Sequence, residues 1–166
     1  MTQEMMHVWI LSLCVWITVL VFVLGKDENS QSTTNLWWNS SNPMFTTGGA
    51  KLKVVMYTTL DIICPYTPDT TEYEYFTLYM VSEEGFRDCV FAEGSIPVVI
   101  CNTPDRPKRY TLLFEPFSSL PSIMEFSYNK SYYVATFSSE RKDDLNNKDG
   151  RLCSEQNMKL NLTVDP

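Results

Sequence analysis

Histidine is almost missing from this sequence: His7 is the only one, and it precedes an apolar N-terminal segment that we expect to be removed. A chain without histidine cannot use a Ser-His-Asp or Cys-His mechanism. It also cannot form a histidine-based zinc or blue-copper site. A carboxylate pair is the main catalytic scheme that remains. Glu72 and Glu74 are the candidate pair for a glycosidase, although their alternation on one strand face is also typical of a solvated surface.

Basic residues are scarce as well, with 13 Lys and Arg against 20 Asp and Glu and a formal net charge of -7. This acidic balance disfavours nucleic acid or an anionic membrane surface as the main partner. The hydrophobic content of 44% and the aromatic content of 13% are typical of a globular protein. A chain of 166 residues accommodates one domain of ordinary size with its own core.

An uncharged apolar run occupies residues 8–24, followed by the small residue Gly25 and by polar sequence from Lys26 onward. This pattern predicts a secretory signal peptide over residues 1–25. The run is longer than most signal-peptide cores, and neither Lys nor Arg precedes it, so an uncleaved membrane anchor is the alternative. Because Lys26 lies just beyond the run, such an anchor would hold the domain in the cytosol.

The cysteines and the glycosylation sequons favour secretion. Cleavage removes Cys14 and leaves Cys64, Cys89, Cys101 and Cys153, an even number that predicts two disulfides with three possible pairings. Their spacings contain no C-x-x-C, which disfavours a redox or zinc site. Three N-x-S/T sequons begin at Asn39, Asn129 and Asn161.

Short runs with alternating apolar residues recur along the chain and predict an all-β domain. Residues 26–35 are rich in Ser, Thr, Asn and Gln and are expected to form a flexible leader before a domain over residues 36–165. About seven strands with turn signals between them favour an antiparallel sandwich or a Greek-key barrel. Ser82, followed by two Glu, predicts one short helix near residues 82–89. The acidic segment 138–150 lacks the EF-hand pattern, so we expect a solvated loop.

A long apolar loop separates two strand-like runs, residues 110–114 and 124–128. It has about nine residues, whereas hairpin loops usually have about two to five and are polar. Its stiffening and apolar residues are Pro116, Phe117, Leu120, Pro121 and Ile123. Two interpretations remain open: a rigid loop that binds a partner protein, or a loop that folds back and caps the core.

Three aromatic residues suggest a different class of function. Trp37, Trp38 and Tyr79 would serve as stacking platforms in a secreted carbohydrate-binding β-sandwich. Core or interface positions explain the same residues better, because that is where large aromatic side chains commonly lie.

Several short segments, in order, resemble the receptor-binding ectodomain of the ephrin family. They are W-W-N-S-S-N-P-M-F at residues 37–45, L-D-I-I-C-P at 60–65, L-Y-M-V-S-E-E-G-F-R-D-C at 78–89, C-N-T-P at 101–104, F-E-P-F-S at 114–118 and C-S-E-Q-N-M-K-L at 153–160. Each segment is moderately specific, and their order is highly so. The match extends from about residue 37 to residue 164, which is nearly the whole chain after the signal peptide.

The resemblance implies a cupredoxin-like Greek-key β-sandwich without copper, and a ligand rather than an enzyme. It implies disulfides between Cys64 and Cys101 and between Cys89 and Cys153, with no cofactor or metal. It further implies an extracellular glycoprotein at the cell surface. Among the sequons, Asn39 matches the glycosylated N-S-S of the family.

The resemblance also implies that the loop enters a hydrophobic channel of an Eph receptor tyrosine kinase, in contact-dependent cell–cell signalling such as axon guidance. Phe117 and Leu120 are the expected anchors. Glu115 and Glu125 either pair with receptor cations or remain solvated. The full set of expected receptor-binding residues is Glu115, Pro116, Phe117, Ser118, Leu120, Pro121, Ile123, Met124 and Glu125.

Three departures from the family pattern limit what the resemblance implies. The loop is about three residues longer than the A-class form, so the resemblance sets no residue-by-residue equivalences after Ser118. Residues 90–100 lack the basic and Trp residues common there. Ephrins continue into a GPI signal or a transmembrane helix, and membrane attachment clusters them; since neither follows Pro166, we expect a fragment or a soluble form.

Overall fold

Eight β-strands in two sheets form the framework of the computed structural model, which describes residues 32–67, 73–118 and 124–166. These residues all lie in one unit, Gln31–Pro166. The strands are β1 (Thr33–Trp37), β2 (Ala50–Val55), β3 (Thr59–Ile63), β4 (Phe76–Val81), β5 (Ile96–Cys101), β6 (Arg109–Leu113), β7 (Lys130–Thr136) and β8 (Lys159–Asp165). The helices are α1 (Glu83–Asp88), a 3-10 helix (Lys142–Asp144) and α2 (Arg151–Glu155). The predicted all-β class is confirmed.

The two sheets are mixed. One has the strand order β1-β3-β6 and the other has the order β2-β8-β7-β4-β5. β1 pairs with β3 and β2 pairs with β8 in parallel, while the other pairs are antiparallel. The expectation of purely antiparallel pairing is therefore wrong for these two pairs. A half-buried strand shows the same alternation of side chains whichever way its neighbour runs, so the pattern does not distinguish the two cases.

One hydrophobic cluster contains residues of both sheets and forms the core of the sandwich. On β8, Leu160, Leu162 and Val164 are fully buried, as their alternation predicts. Trp38 is also fully buried, and its indole N–H donates a hydrogen bond to the Thr136 hydroxyl at 2.9 Å. This bond satisfies the polar atom of the largest core side chain, which would otherwise be costly to bury.

Two disulfides crosslink the described residues. Cys64 follows β3 and bonds to Cys101 at the end of β5, so this bridge joins the two sheets. Cys89 follows α1 and bonds to Cys153 in α2. These are the pairs that the family resemblance implies. Each crosslink restricts the unfolded chain and typically stabilises a domain by about 2–5 kcal/mol.

Of the helices, only α1 is predicted by the sequence. The Ser82 hydroxyl accepts a hydrogen bond from the N–H of Gly85 at 3.1 Å, which is the expected N-cap. The 3-10 helix and α2 lie in and after a polar segment without apolar periodicity, so no pattern indicates them. Nowhere in residues 32–67, 73–118 or 124–166 is there a helix with the length and apolar composition needed to span a bilayer.

The expected flexible leader ends earlier than residue 35, because residues 33–35 belong to β1. Thr33 pairs with Thr59, and their hydroxyl groups lie 2.9 Å apart. Backbone pairing with β3 thus orders a polar sequence whose composition is typical of a linker. The prediction considered composition alone and is wrong for these residues.

Two neighbouring glycines before β2 provide a test of the packing against β8. Gly48 and Gly49 both have positive φ, +86° and +82°. An added Cβ at Gly49 would lie 2.6 Å from Lys159 Cγ and from its carbonyl oxygen, whereas nothing lies within 4 Å at Gly48. Alanine at either position costs about 1–2 kcal/mol for the left-handed backbone, but only Gly49→Ala also displaces β8.

We therefore expect Gly49→Ala to lower the free energy of unfolding by at least about 1 kcal/mol more than Gly48→Ala. Guanidinium unfolding curves of the two variants measure the difference. Equal midpoints would contradict the close approach of Gly49 to Lys159.

Candidate functional site

A backbone hydrogen bond joins the described residues that follow β6 to those that follow residues 119–123. The N–H of Phe126 donates to the carbonyl oxygen of Glu115 at 2.9 Å. This bond brings the outgoing residues 114–118 beside the returning residues 124–128. We refer to residues 115–124 as the loop.

Three aromatic side chains, Phe114, Phe126 and Tyr132, pack together at the ends of the loop, and we call them the aromatic base. Phe114 is fully buried and Phe126 is 2% exposed. The Phe126 ring lies edge to face against both neighbours, with centroids 4.9 Å from Phe114 and 4.8 Å from Tyr132. The Tyr132 hydroxyl also accepts a hydrogen bond from the N–H of Ser127 at 2.7 Å. Both ends of the loop are thereby fixed in the hydrophobic core.

The turn after β2 supports the outgoing end of the loop. The N–H of Tyr57 donates to the carbonyl oxygen of Phe114 at 2.6 Å, and the N–H of Phe114 donates to the carbonyl oxygen of Thr58 at 3.1 Å. Tyr57 has a φ of 65° in this turn. Its side chain hydrogen bonds to that of Tyr128, and this bond raises the pKa of the Tyr128 hydroxyl. Sequence reasoning does not identify this support, since no local pattern indicates contact between residues 57 and 128.

Phe117 is the most exposed large hydrophobic residue in the part of the chain that the structure describes. Its side chain is 83% exposed, three residues after the buried Phe114. A phenylalanine that capped the core would be buried, so the core-cap interpretation does not hold for Phe117. Leu120, Pro121 and Ile123 lie outside the described residues. Of the other predicted contacts, Pro116, Ser118 and Met124 are half-buried.

The two acidic residues at the base of the loop, Glu115 and Glu125, differ in their surroundings. Glu125 is exposed, and its Oε1 accepts a hydrogen bond from the N–H of Ser118 at 3.4 Å. Glu115 is half-buried, and its backbone carbonyl accepts the bond from Phe126. The carboxylate of Glu125 therefore links the two limbs of the loop while its charge stays in contact with solvent.

The returning limb is not a strand, contrary to the sequence-based prediction of a hairpin. Residues 124–127 have no regular secondary structure, and residues 128 and 129 form a turn. β6 instead pairs with β3. Phe126, whose aromatic side chain suggests strand alternation, is instead buried in the core. The N–H of Ser127 donates to the Tyr132 hydroxyl rather than to the backbone of a neighbouring strand.

The carbohydrate-binding alternative is weakened by burial of its platforms. Trp38 is fully buried and Tyr79 is 9% exposed, with the Tyr79 ring packed edge to face on Phe91 at 5.0 Å. Trp37 is 51% exposed. Stacking on a sugar requires an accessible ring face, so two of the three candidate residues cannot provide it.

The carboxylate-pair alternative also finds little support. Glu74 accepts hydrogen bonds from the N–H and hydroxyl groups of Ser40 at 2.8 Å and 2.7 Å, so both of its oxygens are engaged. Its proposed partner, Glu72, lies outside the described residues.

A third carboxylate, Glu140, lies near Glu74. The pKa of the Glu140 carboxyl is raised, mainly by burial and to a smaller extent by the charges of Glu74 and Glu155.

The acidic segment does not assemble a metal site within the described ranges. Arg141 pairs with Asp143, and the Ser139 hydroxyl donates to Asp144. These hydrogen bonds lower the pKa of both carboxyls.

The three sequon asparagines differ in exposure. Asn129 is exposed, whereas Asn39 and Asn161 are half-buried. At Asn39 the Ser41 hydroxyl donates to the side-chain oxygen at 3.1 Å.

Comparison with known proteins gives a consistent family assignment. A family model described as Ephrin matches residues 29–164. Ephrin-B1 of Xenopus laevis is 34% identical over 156 residues, and human Ephrin-B1 is 30% identical over 164 residues. The matches cover 93% and 98% of this chain but 46% of each relative, so the chain spans less than half of their length.

A solved structure, described as the crystal structure of the human ephrin A2-ephrin A1 complex, shares the fold. The TM-score is 0.66 with 24% sequence identity, over 81% of this chain and 99% of that chain.

The aromatic base and Phe117 should respond very differently to truncation. We expect Phe126→Ala to lower the free energy of unfolding by about 3–5 kcal/mol, because it empties a core position. Phe117→Ala should change it by less than about 0.5 kcal/mol, because the side chain is in solvent. Equilibrium denaturation of both variants measures these changes, and a large loss for Phe117→Ala would mean that Phe117 packs on the domain.

Proposed function

The chain belongs to the ephrin family, and on that premise we propose that it is an extracellular ligand for Eph receptor tyrosine kinases, with the loop inserted into a hydrophobic channel of the receptor ectodomain. The observation that supports this most directly is the 83% exposure of Phe117 on a loop whose ends are buried. The exposed phenyl ring is available for burial in a partner, and such burial would remove its apolar surface from water.

The energetics favour Phe117 as an anchor. Full burial of a large apolar side chain contributes about 1.5–3 kcal/mol. Ordering of the loop on binding opposes this gain. Because the aromatic base and the bond between Phe126 and Glu115 already fix both ends of the loop, part of that ordering cost is removed before the receptor arrives. We propose Leu120 as the second anchor, with Pro121 and Ile123 in the same channel.

We also propose that the chain enters the secretory pathway through a signal peptide over residues 1–25 and acts at the cell surface. Two disulfides in the described domain suit an oxidising compartment. Asn39 is the proposed family glycosylation site. Binding would then report contact between cells and guide their positioning, as in axon guidance, with clustering of the ligand needed to bring two kinases together.

Phe117→Ala should weaken binding to an Eph receptor ectodomain by at least about tenfold, which corresponds to about 1.4 kcal/mol. Surface plasmon resonance against a panel of receptor ectodomains measures the affinity. Tyr66→Ala is the matched control. Tyr66 is also exposed, at 51%, and follows the end of β3 that pairs with Arg109, at the opposite end of β6 from the loop. Unchanged affinity for Phe117→Ala at every receptor that binds would refute the insertion of Phe117.

Glu125→Gln removes the negative charge of this residue but keeps its hydrogen bond at the base of the loop, since the amide oxygen still accepts from the N–H of Ser118. We expect a severalfold lower association rate constant at low ionic strength, with the difference shrinking at high salt, because rim charges act mainly on encounter. Glu93→Gln, in the turn before β5, is the control for net charge. Identical association rates for both variants would indicate that Glu125 is only a solvated loop residue.

A further inference from the structure

Two sequons lie side by side on neighbouring strands, yet their acceptor asparagines occupy different environments. We propose that Asn129 carries an N-linked glycan and that Asn161 does not. Asn129 lies in the turn before β7, where it is exposed with a φ of 58°. Its backbone N–H donates to the carbonyl oxygen of Val164 at 2.7 Å, so the turn is held while the side chain remains accessible.

Asn161 lies within β8, between Lys51 of β2 and Tyr133 of β7. Its side-chain oxygen is buried and has no hydrogen-bond partner among the described residues. The glycan would be attached to the nitrogen of that same amide group. Asn161 is half-buried within a strand that is paired on both sides, which leaves less room for a bulky, hydrated sugar than the exposed turn at Asn129 does.

Helix α1 restricts this part of the sheet further. The Phe86 ring of α1 lies 5.1 Å from the ring of Tyr133, which is the cross-strand neighbour of Asn161. A glycan at Asn161 would have to leave the sheet beside this packed helix. Asn129 has no such neighbour among the contacts described for its side chain, and it lies at the end of a strand rather than within one.

The position of Asn129 also relates its glycan to the loop. Asn129 is three residues after Phe126, which bonds to Glu115, and three residues span at most about 11 Å. The glycan would therefore border the base of the loop on the side of Tyr128. This inference rests on the proposed entry into the secretory pathway and does not depend on receptor binding.

The hydroxyl residues of the two sequons provide matched variants. Ser131 and Thr163 are cross-strand partners, and their hydroxyl oxygens lie 3.3 Å apart. Ser131→Ala and Thr163→Ala each remove this same contact, but the first abolishes the Asn129 sequon and the second abolishes the Asn161 sequon. Ser131→Thr keeps the sequon and serves as the rescue variant.

The full chain and these variants would be expressed in a secreting eukaryotic cell line, and the mobility of each protein compared before and after treatment with peptide N-glycosidase. We expect Ser131→Ala to lose the mass of one glycan, and Thr163→Ala and Ser131→Thr to migrate like the unsubstituted chain. Loss of a glycan in Thr163→Ala, or none in Ser131→Ala, would overturn the proposal.

Glycopeptide mapping of the unsubstituted chain gives an answer that does not require any variant to fold. Trypsin separates the two acceptors, because Asn129 lies in the peptide 110–130 and Asn161 in the peptide 160–166. After deglycosylation in heavy-oxygen water, we expect the label at Asn129 and not at Asn161. An unlabelled Asn129, whether or not Asn39 is labelled, or a labelled Asn161, would refute the assignment.

Discussion

Burial of Phe114 and Phe126 is the interaction on which the rest of this site depends. The two rings lie 4.9 Å apart within the core, so the described residues before and after residues 119–123 are anchored at the same place. Phe117 lies beyond the buried Phe114 and is exposed. A loop whose ends were free would lose more conformational entropy on binding, and its apolar residues would tend to collapse onto the domain.

The frame that holds the aromatic base extends across both sheets. Phe114 follows β6 in the three-stranded sheet, and Tyr132 belongs to β7 in the five-stranded sheet, so the contact of Phe126 with both rings couples the two layers. The Cys64–Cys101 disulfide joins the same two sheets covalently. The disulfide lies toward the end of β3 that pairs with Arg109, so the aromatic base and the disulfide connect the two sheets at different places.

Much of the fold can be predicted from local sequence pattern. The alternation on β8 and the capping serine of α1 depend only on neighbours along the chain, and both agree with the structure. Local pattern does not predict the parallel pairing, the helix α2 or the lack of strand structure at residues 124–127. Strand direction and backbone pairing are set by distant segments of the chain. At the site, the pattern indicates an apolar loop but leaves open whether Phe117 is available to a partner or caps the core.

The sequence by itself determined the broad character of this protein: an acidic all-β domain with four cysteines available for crosslinks, and ordered segments that identify the ephrin family. Each of these properties depends on residue type and spacing along the chain. The tertiary structure decided which aromatic side chains are buried in the core and which one is exposed to solvent. It also decided that Asn129 is exposed whereas Asn39 and Asn161 are half-buried. Exposure depends on neighbours far away in sequence, such as Tyr57 beside Phe114 and Tyr133 beside Asn161, and no local pattern encodes them.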